Sequence, residues 1–134
     1  MAVVRRFQDL VAWQRCVELS VAISELTAGI RNQGLRDQMR DAADSAPALI
    51  AEGFRRFTTP EFVRYLRMAR GELGEIQSDL EMGREQGTFA GDKYESVLIL
   101  ARRAMGTTTN LLKSKVRQLE AEAEAKRRKR ASRS

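Results

Sequence analysis

The chain has 134 residues, with 24 Lys or Arg, 18 Asp or Glu, one cysteine and no histidine. Without histidine, the commonest general base, the commonest metal ligand and every Ser-His or Cys-His nucleophile pair are excluded, and a lone Cys16 allows no internal disulfide. The net charge of +6 belongs to one end: residues 1–112 hold 15 basic and 15 acidic side chains, whereas residues 113–134 hold nine basic and three acidic ones.

The size is that of one domain. No run of eighteen apolar residues is present, and "MAVVRRFQDL" at the N-terminus has no signal-peptide core, so a soluble, cytoplasmic protein without membrane contact is expected. In chain order, Ala12, Cys16, Leu19, Ile23, Leu26 and Ile30 recur at helical spacing, with Leu10, Trp13, Val17 and Val21 beside them. Asp9 is the expected N-cap, and "RNQG" at 31–34 the expected stop.

A second helix is expected from about Leu35 to Phe57, with Leu35, Met39, Ala42, Ala43, Ala46, Ile50, Phe54 and Phe57 on one broad face. Within it, "SAPALIAEGFRR" at 45–56 sets Pro47 in a helix interior, where a missing N–H and a crowded preceding turn cost about 3 kcal/mol. No turn-forming cluster surrounds it, so a kinked helix is expected rather than two helices.

The third helix has the clearest start: Thr58 and Glu61 form a T-x-x-E capping box with Pro60 in the first turn. Phe62, Leu66, Ala69, Leu73, Ile76, Leu80 and Gly83 follow as its stripe, and "QGTFAGD" at 86–92 closes it. A fourth stripe runs through Tyr94, Leu98, Ala101, Met105, Thr108, Leu112 and Leu119, with Val97, Ala104 and Leu111 alongside. Four stripes with short connections predict an all-α antiparallel four-helix bundle over residues 1–118. Residues 119–134 form a basic C-terminal extension, helical to about residue 130 through the pairs Glu122–Lys126 and Glu124–Arg128, with "ASRS" at 131–134 disordered.

The stretches "FQDLVAWQ" and "LRDQMRDAADSAPALIAEGFRRFTTPEFVRYLRMARGELGEIQSDLEMG" resemble the bacterial four-helix bundle proteins encoded by intervening sequences in 23S ribosomal RNA genes. The accessory variability determinants of diversity-generating retroelements are more distant relatives. Gln38, Ala42, Ala43, Ser45, Pro47, Ala51, Glu52 and Gly53 match the family pattern, as do Phe62, Leu66, Ala69, Gly71, Leu73 and Glu75 in the next helix. The likeness covers about Phe7 to Leu112, and departs at Leu49, where the family has Asn, and at Glu72, where it has Ser. It implies a homopentameric barrel of bundles with a basic surface, associated with RNA or with a reverse transcriptase complex. It implies no enzyme activity and no cofactor.

Candidate residues carry paired readings. Arg55, Arg56, Arg64, Arg67 and Arg70 cluster at the helix two–three hairpin with only Glu61 opposing them; they would contact phosphates, or bridge acidic groups of a neighbouring subunit. Glu72, Glu75, Asp79, Glu81 and Glu85 make the other end of helix three acidic, which suits a head-to-tail ring. Gly71, Gly74 and Ser78 face away from the apolar stripe and are expected at an oligomer interface. Gln38, Ser45 and Glu52, spaced by seven, are expected to form a structural polar network beside Pro47, a ligand or catalytic role for Glu52 being the lesser reading. Trp13, Phe54 and Phe57 could stack on bases, but at helical spacing they are expected in packing.

The tail run Lys126, Arg127, Arg128, Lys129 and Arg130 could bind nucleic acid, an acidic protein or anionic lipid, and the resemblance favours nucleic acid, RNA ahead of DNA. Three function classes follow. The first is a non-catalytic, oligomeric nucleic-acid-binding protein. The second is an interaction scaffold docking a polymerase or reverse transcriptase. The weakest is an enzyme resting on Glu52 or Glu75, and no metal site or cofactor is expected.

Overall fold

The computed structural model describes residues 3–89 and 91–133; Ala90, in the expected closing turn of helix three, and Ser134, at the end of the tail, lie outside the described residues. A 3₁₀ turn at Phe7–Asp9 leads into α1 (Val11–Thr27), followed by α2 (Gln33–Arg55), α3 (Thr59–Glu85) and α4 (Gly91–Arg133). Among the described residues there is no strand. Each helix packs on its neighbours in the chain, and α4 returns against α1, so the four close an antiparallel square around one core.

The helix ends obey local chemistry, with several departures from expectation. Asp9 does not cap α1: its carboxylate accepts from Arg6 Nε at 3.2 Å, and Leu10 is the N-cap residue without a side-chain bond. The 3₁₀ turn moves the start by one residue because Phe7 packs edge-on against Trp13, ring centroids 5.3 Å apart, and Leu10 is buried. At its other end α1 stops at Thr27 rather than reaching Ile30. There Thr27 Oγ1 donates to the Ile23 carbonyl at 2.7 Å, while Arg40 of α2 donates to Thr27 Oγ1 and to the Ser24 carbonyl, each at 3.0 Å. One arginine thus satisfies a carbonyl that the helix C-terminus leaves open, that of Ser24, and holds the Thr27 hydroxyl in place. Asn32 caps α2, its side chain accepting from Leu35 N–H at 3.0 Å, so that helix starts two residues before Leu35.

Pro47 lies buried inside an unbroken α2, among Ala42, Ala43, Ala46 and Ala51, whose small side chains bring the backbone close to its neighbours. Further along, Gly53 has the same function in sharper form. A Cβ there would lie 2.8 Å from Tyr65 Cβ and 2.9 Å from Phe62 Cδ1, so only glycine lets α2 and α3 meet at this height. α2 ends at Arg55, and Phe57, expected on its apolar face, is instead fully exposed in the connection. Thr58 then caps α3, accepting from Glu61 N–H at 3.4 Å.

Every member of the expected α3 stripe is buried. Its inner residues meet Leu19, Ile23, Met39 and Ile50 in the core, together with Leu98, Ala101 and Leu112 of α4. Val21, placed by its spacing beside the α1 stripe, is half exposed instead. Residues 131–133, expected to be disordered, continue α4.

Candidate nucleic-acid interface

α4 has 43 residues against 27 in α3, so at 1.5 Å per residue it is about 64 Å long against about 40 Å and outruns the bundle. Its overhang is anchored where α3 begins: Gln118 Nε2 donates to Thr59 Oγ1 at 3.3 Å, and Thr59 donates on to Glu122 Oε1 at 3.0 Å. The tail therefore leaves the bundle beside the α2–α3 connection, the end that also carries the arginine cluster.

The structure divides that cluster. Arg56 is engaged on all sides, donating to Tyr65 Oη at 2.7 Å and lying 2.9 Å from Glu52 Oε1 and 3.9 Å from Glu61 Oε2. Two carboxylates thus oppose it where one was expected. Each pair is about 40% exposed and so weak alone, but together they leave Arg56 little charge to offer a phosphate. Arg55 lies over the Phe7 ring at 4.8 Å, and Arg64 over Tyr65 at 4.9 Å. Arg64, Arg67 and Arg70 are exposed on α3, and among the described residues no carboxylate pairs with them.

On the tail, Glu124 holds Arg127 at 2.7 Å and Arg128 at 3.3 Å. Lys126 and Lys129 have no carboxylate within ion-pair distance among the described residues, and Arg130 is exposed on the same helix. Arg130 has interactions of its own, so the open positive charge of the tail rests on Lys126, Lys129 and Arg133.

Gln38, Ser45 and Glu52 do not form one network. Gln38 reaches across to α3 and donates to both oxygens of Asp79, at 3.1 and 3.2 Å, whereas Glu52 pairs with Arg56 and Ser45 is half buried between them. Distance along the axis explains the split: at 1.5 Å per residue, successive members stand about 10 Å apart and the outer two about 21 Å, so each side chain on that face meets a different neighbour.

Asp79, expected as one of the charges of the acidic end of α3, stands instead within the buried register, three residues after Ile76 and four before Gly83. It is only 5% exposed. Burial pushes its carboxyl above the ordinary range and Glu75 adds to the shift, while the Gln38 hydrogen bond opposes it. Glu72 is shifted upward in the same way, by burial first and then by Glu75.

Of the proposed interface residues, Gly71 and Ser78 are exposed, whereas Gly74 is half buried and turned toward α4, with Met105 Cε 4.0 Å from where its Cβ would be. Cys16 is fully buried next to Thr108, and burial pushes its thiol up to about 11, against the weaker effect of the Thr108 hydrogen bond. Among the described residues, no group of three or more His, Cys, Asp or Glu could hold a metal ion, and no helix is long and apolar enough to cross a membrane.

The comparisons agree with this architecture. Among solved structures, the chain is similar to a protein of unknown function from the S23 ribosomal protein family of Bacteroides thetaiotaomicron, with a TM-score of 0.70 and 20% identity over 77% of this chain and 96% of that one. At that identity the likeness shows the fold alone. The sequence has no match among curated proteins. Residues 8–110, from the 3₁₀ turn into the middle of α4, match the family described as 23S rRNA-intervening sequence protein, while the basic overhang lies beyond them. Matched over most of its length, the chain belongs to the 23S rRNA-intervening sequence protein family.

Proposed function

We propose that this protein is a non-catalytic, cytoplasmic, oligomeric nucleic-acid-binding protein, that it prefers RNA, and that it binds through one end of the bundle. The observation that carries the reading is the anchoring of α4 on Thr59, which brings Lys126 to Arg130 to the same end as Arg55, Arg64 and Arg67. Lys126, Lys129, Arg64 and Arg67, which have no carboxylate partner among the described residues, suit a phosphate backbone. The description of the family, with its ribosomal RNA, favours RNA over DNA. Assembly into a ring, with five copies expected, would multiply weak contacts into useful avidity.

The test is a titration with generic RNA at two salt concentrations, with and without residues 126–134. That deletion removes six basic and no acidic side chains and takes the net charge from +6 to zero. If the tail supplies the phosphate contacts, affinity falls uniformly across sequences, and the log–log salt slope shrinks by about 0.9 per lost contact on duplex and about 0.7 on single strands. If Arg64 and Arg67 carry binding instead, the truncated protein keeps its affinity and the double substitution R64A/R67A removes it. An intact protein without salt-sensitive binding to RNA or DNA would refute the proposal in favour of a scaffold that docks an acidic protein such as a reverse transcriptase.

A further inference from the structure

The arginines and lysines account for phosphate binding but say nothing of bases, and one aromatic side chain is left over. Phe54 packs edge-on against Phe62, centroids 6.3 Å apart, and Trp13 does so against Phe7. Phe57, in the α2–α3 connection, is fully exposed, and no other aromatic side chain among the described residues is exposed to that degree. Leaving a phenylalanine in water forgoes about 1.5–3 kcal/mol of burial.

Phe57 lines a groove of about 380 Å³ whose other walls include Pro60 of α3 and Leu119, Glu122, Ala123 and Lys126 of α4. That volume admits a planar ring the size of a nucleobase. The charges fix which part of a nucleotide goes where. Glu122 is held in place by Thr59 and Gln118, and its carboxylate repels a phosphate from the groove. Lys126, on the wall of the groove, and Lys129, one turn further along the tail and outside it, attract phosphate to the tail side of the groove.

We propose that Phe57 is a stacking platform for an unpaired base of single-stranded RNA, with the base in the groove between Phe57, Pro60 and Leu119 and the flanking phosphates on Lys126 and Lys129. The inference rests on the RNA-binding reading above and gives it a substrate class. Stacking on an aromatic face needs a base free of its duplex partner and tolerates any sequence. A base-paired helix of the same charge density gains only the phosphate contacts.

The experiment measures fluorescence anisotropy of labelled twelve-nucleotide oligouridylate and oligoadenylate, and of a perfect RNA duplex, with the full chain and the variants Phe57→Ala and Phe57→Trp. Phe57→Ala should weaken single-strand binding roughly 5- to 150-fold, the range that stacking one base supports, and leave duplex binding unchanged. Its salt slope should match that of the wild type, since no charge is removed, and Phe57→Trp should restore affinity. Equal melting temperatures for the three proteins would exclude misfolding as the cause, and Phe57→Gln provides a second truncation should the alanine variant fold poorly. Unchanged single-strand affinity in Phe57→Ala, with the wild type still binding in a salt-sensitive way, overturns the platform and leaves the RNA-binding reading standing. A wild type that binds none of the three probes overturns both. A lower mass for Phe57→Ala in light scattering means that a second copy of the chain occupies the groove, which also overturns the proposal.

Discussion

Replacing Gly53 by alanine would place a methyl group 2.8 Å from Tyr65 Cβ and 2.9 Å from Phe62 Cδ1. Two effects of opposite sign then compete. Alanine is favoured over glycine in a helix interior by about 1 kcal/mol, through the smaller backbone entropy lost on folding. Overpacking a close contact costs about 1–3 kcal/mol. The geometry decides between them, because Tyr65 Cβ is fixed to the α3 backbone and can retreat only if the two helices separate. With two contacts inside 3 Å the overpacking cost falls in the upper part of that range, about 2–3 kcal/mol, and the net expectation is destabilisation by about 1–2 kcal/mol, or about 4–8 °C in melting temperature for a chain of this size. Gly106 is the control, since nothing lies within 4 Å of its Cβ position. There the propensity gain stands alone, and Gly106→Ala should raise the melting temperature by about 2–4 °C. Thermal unfolding followed by circular dichroism, at one fixed protein concentration because assembly shifts apparent stability, reads both variants. A Gly53→Ala protein as stable as the wild type would refute the claim that this glycine sets the α2–α3 distance.

The buried carboxyl of Asp79 has a raised pKa, so it favours the folded state at low pH and loses that contribution as pH rises through its folded value. Asp79→Asn should therefore flatten the stability profile above the ordinary carboxylate range and equal or exceed the wild type at pH 7, as denaturant midpoints taken from pH 4 to 8 would show; a steeper loss of stability in the variant would contradict this. Fully buried and with its thiol pushed up to about 11, Cys16 should alkylate at pH 8 at least about 100-fold more slowly than an unfolded cysteine, as mass spectrometry with iodoacetamide can measure. Gly71→Leu adds a bulky side chain at an open, exposed position, so it should lower the mass seen in light scattering without reducing helicity; a monomeric wild type would remove the basis of the proposed ring.

Helix three was readable almost to the residue because its signals are local and mutually consistent: a threonine cap, a proline in the first turn and an apolar residue every third or fourth place. The ends of α1 were not, since Phe7 packing on Trp13 and Arg40 reaching over from α2 decide them, and both depend on contacts that appear only once the chain has folded. Phe57 shows the limit most plainly. Its spacing from Phe54 fits the α2 stripe, yet the helix stops at Arg55 and the Thr58 cap opens α3, so the side chain has no helix face to occupy. At the candidate site, Glu52 and Arg56 stand at i,i+4 and their pairing could have been read from that spacing, yet only Glu61 was expected to oppose the arginines. The Gln38–Asp79 bond joins residues 41 apart and could not be read from spacing.

The overhang of α4 carries its charges on a helix rather than on a loose chain, and this alters the thermodynamics of any contact it makes. Ordering a free backbone costs about 1–2 kcal/mol per residue, whereas a segment already helical and tied to Thr59 meets its partner with that entropy lost beforehand. Affinity at this end of the molecule then depends on backbone order as well as on net charge. Turning Ala123 and Ala125 into glycines would leave all 24 basic side chains in place and still weaken the arm.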